Sequence, residues 1–120
     1  EHKELGLITW GQTLTKDNEV IFSQSKKSDG CTAKEWDEGE RKIMLGLPDL
    51  GLKDVYRELY NYDTQDYSWI LKRKGEIISR RRYDHIFASS VFKYISADYI
   101  HTPLEQKLSD HSALLVNLDI

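Results

Sequence analysis

The sequence has one cysteine, two prolines and no long apolar run. Because Cys31 has no partner within the chain, an intrachain disulfide and a zinc site made only of cysteines are excluded. For the same reason we expect an intracellular, reducing compartment such as the cytoplasm. No stretch approaches the roughly 18 consecutive apolar residues of a membrane span, so we expect no membrane partner.

Motifs that mark several common enzyme classes are also missing. The sequence has no P-loop, no glycine-rich dinucleotide fingerprint and no HExxH zinc motif. No histidine or basic cluster stands near Cys31, so we do not expect this thiol to act as a nucleophile.

Charge is unevenly distributed along the chain. The net charge of −3 argues against a basic nucleic-acid coat over the whole surface. Residues 71–82, however, hold six basic side chains and a single glutamate. This run has two interpretations, a solvated hairpin turn or a loop that binds an anionic partner.

The patterning predicts a mixed α/β (α+β) fold with two short helices and mostly antiparallel strands, in one domain spanning residues 1–120. The first helix should begin near Ala33, capped by Thr32 or Asp29, and end at Gly46 and Pro48. The second should lie within residues 49–60, and a loop or short helix should run from Thr102 to Leu108. Strands are predicted at residues 5–10, 19–24, 67–72, 77–89, 93–101 and 111–120, with turns at 15–18 and 74–75 and an exposed loop at 25–29.

An aspartate and a histidine in the C-terminal part of the sequence each belong to a predicted strand. Asp84 lies within a strand-like segment, and His111 opens the last strand 27 positions later. A carboxylate bonded to one imidazole nitrogen fixes the tautomer, leaving the other nitrogen to exchange a proton or stabilise a phosphate oxygen. The alternative is an ordinary turn carboxylate and a surface histidine.

Two neighbouring features suggest further site residues. Asp110 at the strand entrance is a candidate ligand for Mg²⁺ or Mn²⁺, or else a turn cap. Trp69, just before the basic run, is a candidate for stacking on a base or sugar, or else a core residue. We interpret His85 and His101 as packing or surface residues.

Several of these segments together resemble the C-terminal half of the endonuclease/exonuclease/phosphatase superfamily, most nearly exonuclease III and the abasic-site endonucleases. The matching segments cover about residues 45–120. In the family's order they are residues 52–60, Tyr67-Ser68-Trp69, Arg82-Tyr83-Asp84-His85-Ile86 and Ser109-Asp110-His111.

The resemblance implies half of a four-layer α/β sandwich with metal-dependent phosphodiester cleavage. His111 would contact the scissile phosphate, Asp84 would orient His111, and Asp110 would lie at a site for Mg²⁺ or Mn²⁺. The substrate would be a phosphodiester, with nucleic acids such as DNA among the candidates. It would lie against one aromatic and two basic side chains, Trp69, Arg81 and Arg82.

The chain also departs from the family pattern. The family's early metal-binding Asn and Glu belong to strands that would precede residue 1, so we expect this chain alone to be inactive or nearly so. We therefore expect a missing N-terminal half or self-association, which would also cover strands that are apolar on both faces. The Gly-Trp that often precedes Arg-x-Asp is replaced by Arg80-Arg81, which favours a general phosphodiesterase over abasic-site specificity.

Two other functions remain open from the sequence. One is a non-catalytic module of the same fold that binds an anion or nucleic acid through residues 71–82, with a strong dependence on salt. The other is a structural or interaction domain in which Ser109-Asp110-His111 occurs by chance.

Overall fold

The computed structural model describes residues 1–2, 4–24 and 29–120 and has the mixed α+β character that the sequence predicts. Its strands pair antiparallel in small two-stranded sheets. The described residues divide into two compact units, Glu1–Leu50 and Gly51–Ile120. The assignment of the whole chain to one partial domain stays a prediction. Most of the predicted loop at 25–29, namely residues 25–28, lies outside the described residues.

The first unit contains one hairpin and one long helix. Strands β1 (Gln12–Leu14) and β2 (Val20–Phe22) flank the predicted turn at 15–18. Helix α1 (Ala33–Gly46) confirms the predicted helix, and the 3-10 helix Leu47–Leu50 follows it. Thr32 caps α1 in a reciprocal arrangement, since Glu35 donates its N–H to the Thr32 hydroxyl over 3.3 Å and its carboxylate accepts the Thr32 N–H over 2.6 Å.

The predicted strand at residues 5–10 is wrong. The main-chain N–H groups there bond to side chains rather than to a neighbouring strand: Thr9 N–H donates to Gln12 Oε1 over 3.2 Å and Trp10 N–H to Glu40 Oε2 over 2.8 Å. The buried Thr9 hydroxyl also donates to Asp37 over 2.8 Å. Asp37 and Glu40 are distant in sequence, so the local apolar pattern does not reveal these contacts.

The second unit carries six strands and two short helices among its described elements. In chain order these are β3 (Leu52–Asp54), α2 (Val55–Tyr60), β4 (Trp69–Arg73), β5 (Glu76–Arg81), β6 (Phe87–Ser89), β7 (Lys93–Ile100), α3 (Thr102–Glu105) and β8 (Ala113–Asp119). Strand β3 pairs with β6, β4 with β5, and β7 with β8. The core contains Val55, Tyr56, Ala88, Ala97 and Tyr99.

The hairpin of β4 and β5 turns at Lys74 and Gly75, as predicted. Their φ angles are 51° and 82°, which is the left-handed geometry that a two-residue hairpin turn requires. The helix predicted within 49–60 is shorter than expected, because residues 52–54 pair with β6 and the Asp54 carboxylate caps α2 at Tyr56 N over 3.2 Å.

The predicted strand at 77–89 is two strands, β5 and β6, separated by residues 82–86. In this interval the main chain leaves the ladder and bonds to side chains and to α2: Val55 N–H donates to the Ile86 carbonyl over 3.0 Å. The interruption turns Asp84 toward the C-terminal end of β7 and the start of β8. There Ile100 and Ala113 form the last matched pair, so residues 101 and 112 face each other.

The sheet of β7 and β8 packs one face on the core and exposes the other. Tyr99, Leu114 and Val116 pack on the core side. Ile95 and Leu115 are each half exposed on the other side. The expectation that a partner or a second copy covers this face stays a prediction.

Candidate functional site

Asp84 and His111 form a direct hydrogen bond, with His111 Nδ1 lying 2.5 Å from Asp84 Oδ2. Both side chains are partly exposed, at 45% for Asp84 and 35% for His111. Asp84 stands in the interval between β5 and β6, and His111 directly precedes the residues that open β8. The structure therefore brings together the two residues that the sequence pairs across 27 positions.

The chemistry of the pair follows from which nitrogen is used. A carboxylate accepts, so Nδ1 carries the proton in this bond and Nε2 is the nitrogen that can meet a phosphate. Burial raises the pKa of Asp84, but the hydrogen bonds with the Ser68 hydroxyl and the His111 imidazole lower it by more. The net result is a pKa below the ordinary value of 3.8. Asp84 is thus anionic near neutral pH, as a residue that orients an imidazole must be.

Ser68, which is fully buried, supports both members of the pair. Its hydroxyl accepts the main-chain N–H of Tyr83 over 2.9 Å and that of Asp84 over 3.1 Å. Its carbonyl accepts the N–H of Ser112, the residue after His111, over 2.7 Å. Sequence reasoning treated Ser68 only as part of a motif, because a serine one residue before a strand gives no signal of burial.

A buried ion pair is linked to Asp84 through the Tyr99 hydroxyl. The Arg82 side chain is only 1% exposed, and its Nη2 donates to Asp54 Oδ2 over 2.5 Å. Burial raises the pKa of Asp54, yet the contacts with His85 and Arg82 lower it to about 2. Tyr99 completes the arrangement by donating its hydroxyl to the Asp84 carbonyl over 2.5 Å.

The structure thus gives Arg82 a different place from the substrate groove that the resemblance implies. Its guanidinium is committed to Asp54 and lies 3.3 Å from the Tyr99 hydroxyl oxygen. Arg81 ends β5 opposite Trp69, and its carbonyl accepts the Ser68 N–H over 2.9 Å. The predicted roles of these two arginines in substrate binding stay predictions.

An open cleft of about 420 Å³ lies beside the residues that precede His111. Its lining combines an aromatic ring, two lysines and a carboxylate with apolar and hydroxyl groups: Trp69, Ile70, Lys72, Leu104, Lys107, Ser109 and Asp110. The predicted residues Trp69 and Asp110 therefore share one cleft. Tyr83 lies between the Trp69 ring and the His111 ring, with centroids 5.5 Å and 6.4 Å away.

The donor set for a metal ion is small. Among the described residues, no group of three or more His, Cys, Asp and Glu side chains is placed to hold a metal. Asp110 is exposed in the cleft and offers one carboxylate. This fits Mg²⁺ only in the manner of sites where one or two carboxylates bind the ion together with water and substrate phosphate.

Sequence reasoning missed a second aspartate–histidine contact close to the first. His101 Nε2 lies 2.9 Å from Asp66 Oδ1, and its Nδ1 lies 2.7 Å from the Ser112 hydroxyl. The Tyr67 ring stacks on the imidazole at 4.2 Å. The spacing of these residues follows no known motif. The pairing of β7 with β8 brings His101 to Ser112, and the contact with Asp66 is visible only in the folded structure.

Comparison with family models, with curated protein sequences and with solved structures found no match. Within the part of the chain that the structure describes, no helix has the length and apolar character needed to cross a membrane. The interpretation of the site therefore depends on its geometry and on the resemblance of its motifs.

Proposed function

We propose that this chain supplies the aspartate–histidine part of a site for metal-dependent phosphodiester hydrolysis. The observation that carries the proposal is the 2.5 Å bond between His111 Nδ1 and Asp84 Oδ2 beside a cleft lined by lysines. An oriented imidazole next to cationic side chains suits a reaction in which negative charge develops on a phosphate.

His111 is the residue that acts on the phosphate in this proposal. Asp84 holds the ring with Nδ1 protonated, so Nε2 accepts a proton when His111 is neutral and donates one when it is charged. Asp84 is anionic near neutral pH, and its own position is fixed by the hydroxyl of Ser68. A misplaced ring would lose this function although it kept its chemistry.

Asp110 contributes one oxygen ligand for Mg²⁺ or Mn²⁺. A bound ion of this kind polarises a phosphoryl oxygen and stabilises the leaving oxygen. The contribution of this chain is to hold the Asp110 carboxylate next to His111 in sequence, just before β8 begins.

The cleft supplies binding for an extended anionic substrate, such as a nucleic acid. Lys72 and Lys107 attract phosphate groups, and the Trp69 ring offers a face for a base or sugar. This arrangement favours a nucleoside phosphodiester over a diester that has only small alkyl groups.

The test is a phosphodiesterase assay with Mg²⁺, with Mn²⁺ and with chelator. The substrates are duplex DNA, duplex DNA with an abasic site and a small generic diester, and the chain is assayed alone and in its longest native form. The variants are His111→Ala and, as a histidine control far from the site in sequence, His2→Ala. We expect metal-dependent activity that His2→Ala retains and His111→Ala lowers by about 10²- to 10⁴-fold, the usual range for a lost acid–base group.

Equal activity in His111→Ala and the unchanged protein would contradict the site assignment. Absence of activity from every form and substrate would favour the second candidate, a non-catalytic module. The observation that favours this candidate is the exposure of the β4–β5 hairpin, where Lys72, Arg73 and Lys74 all face solvent.

The module is tested by measuring the affinity for single-stranded and duplex DNA across a salt series. A triple change of Lys72, Arg73 and Lys74 to Ala should lower both the affinity and the slope of its salt dependence. This triple change replaces exposed side chains, whereas changing Arg82 would break a buried ion pair. Unaltered binding by the triple variant would exclude the hairpin as the binding surface.

A further inference from the structure

A second imidazole, that of His101, is held by three groups within hydrogen-bonding or stacking distance. Asp66 Oδ1 lies 2.9 Å from Nε2, the Ser112 hydroxyl lies 2.7 Å from Nδ1, and the Tyr67 ring stacks on the imidazole face. Because a carboxylate accepts, Nε2 carries the proton in the neutral ring and Nδ1 accepts from the Ser112 hydroxyl. The three contacts fix the position and tautomer of His101.

The order of these groups is that of a nucleophilic triad, but the burial of Ser112 argues against that use. Ser112 is only 4% exposed, so its hydroxyl does not reach solvent or a substrate. A nucleophile must approach the reacting atom to about 3 Å. The arrangement therefore holds the chain in place rather than carrying out a reaction.

Ser112 is the residue through which His101 acts on the proposed site. Its N–H donates to the Ser68 carbonyl over 2.7 Å and its hydroxyl contacts His101, so both its main chain and its side chain are fixed. It directly follows His111, whose peptide it shares. With Ser112 held at two points, the backbone that carries the His111 ring has little freedom to move away from Asp84.

We propose that His101 is a positioning residue for His111: by anchoring the Ser112 hydroxyl, it holds the His111 imidazole at bonding distance from Asp84. A bond of 2.5 Å tolerates only a small displacement of the His111 ring, since functional groups must be held within about 0.5 Å of their working geometry. Asp66 and Tyr67 act one step further back, because they hold His101 itself.

The structural part of this proposal is independent of the proposed function, and only its effect on catalysis rests on that function. NMR of the histidine side chains in the full chain, at one fixed pH, measures the structural part. The Nδ1 proton of His111, hydrogen bonded to Asp84, should give a strongly deshielded signal. The imidazole ¹⁵N shifts report the tautomer of the same ring.

The variants separate the two bonds of His101. In His101→Ala we expect the deshielded His111 signal to broaden or disappear and the tautomer preference to weaken. In His101→Asn the amide oxygen takes the place of Nδ1 and accepts from Ser112, so the signal should be largely retained. Tyr94→Phe is the control for general loss of stability, because it removes the 2.8 Å bond to the Ala88 carbonyl in the same unit without touching this network. It should leave the signal unchanged.

An unchanged His111 signal in folded His101→Ala would overturn the proposal. If His101→Ala does not fold, Ser112→Ala makes the same test, since it removes the anchored hydroxyl and keeps His101; an unchanged signal there would equally overturn it. Where phosphodiesterase activity is present, His101→Ala should lower kcat by about 10- to 100-fold with little change in KM, in line with the cost of a 1 Å misplacement. A changed signal without activity in any form supports the positioning role and counts against the proposed reaction.

Discussion

Ser112 donates its main-chain N–H to the carbonyl of Ser68 over 2.7 Å, and this bond joins the two segments that carry His111 and Asp84. Ser68 simultaneously accepts the N–H of Asp84 through its hydroxyl. A single buried residue thus fixes the backbone on both sides of the candidate pair. The relationship explains how two residues 27 positions apart meet on partly exposed segments.

Ser68→Ala should therefore destabilise the second unit and disturb the pair. The change removes the acceptor of the partly buried N–H groups of Tyr83 and Asp84, and each such loss costs about 1–3 kcal/mol. We expect the free energy of unfolding to fall by about 2 kcal/mol or more, measured by urea denaturation. Ser90→Ala, at an exposed site in the same unit, is the matched control and should change it by less than about 0.5 kcal/mol. Equal effects from both variants would show that the Ser68 hydroxyl does not stabilise the main chain at Tyr83 and Asp84.

Asp84→Asn should lower activity more than it lowers stability. The amide keeps the size of the carboxylate but loses its charge, and it no longer enforces the Nδ1–H tautomer of His111. Since both side chains are partly exposed, we expect a stability change within about 1 kcal/mol and a loss of kcat of about 10²-fold or more. Circular dichroism melting and the phosphodiesterase assay measure the two quantities. Full activity in Asp84→Asn would remove Asp84 from the site.

The ion pair of Asp54 with Arg82 predicts an acid-dependent loss of stability. The pKa of Asp54 is depressed to about 2, so its contribution is complete above the ordinary pKa of 3.8 and is lost as the pH falls through about 2. The difference corresponds to about 2 kcal/mol, which should disappear between about pH 4 and pH 2.

Asp54→Asn should abolish that part of the pH dependence. It should also cost about 3 kcal/mol at neutral pH, because it removes the carboxylate that pairs with the buried Arg82 guanidinium. Asp98→Asn, at an exposed carboxylate on β7, is the control and should leave both values almost unchanged. Urea denaturation at pH 7, 4 and 2.5 measures the effect. An identical acid profile in Asp54→Asn would contradict the assigned role of the pair.

Two glycines of the first unit should respond to alanine with opposite signs. A Cβ at Gly11 would lie 2.1 Å from the Ala33 carbonyl oxygen, so Gly11→Ala forces the backbone apart and should cost about 1–3 kcal/mol. Gly39 lies within α1, and no atom lies within 4 Å of an added Cβ. Gly39→Ala should therefore stabilise the unit by about 1 kcal/mol. Thermal unfolding followed by circular dichroism at 222 nm measures both variants. An equal loss of stability in Gly39→Ala would contradict the close approach to Ala33 as the cause of the loss in Gly11→Ala.

The sequence predicts well those elements whose signals are local. Helix α1 has a capping box at Thr32 and apolar residues at helical spacing, and the β4–β5 hairpin has a Lys-Gly turn that adopts positive φ. Strands β7 and β8 are long enough for their pattern to be clear. These elements form essentially where the sequence predicts them.

The sequence predicts poorly what depends on distant polar partners. Residues 5–10 are mostly apolar, as in a strand, but the Trp10 N–H bonds to the distant Glu40 side chain and the Thr9 hydroxyl to Asp37. The break between β5 and β6 exists because Ser68 competes for the main chain at Asp84. For the candidate site, the residue types at positions 84 and 111 and their motif suggest the pair, whereas the supports at Ser68 and His101 are visible only in the folded structure.

The interval at residues 82–86 also makes the site observable by hydrogen exchange. Amides outside a strand ladder normally exchange quickly with solvent, because the groups that would protect them are missing. The amides of Tyr83 and Asp84 lie outside the ladder but are bound to the buried Ser68 hydroxyl, so their deuterium uptake should be slow whenever the site is assembled. Their exchange rate therefore reports the integrity of the proposed site without the need for a substrate, a metal or an activity assay.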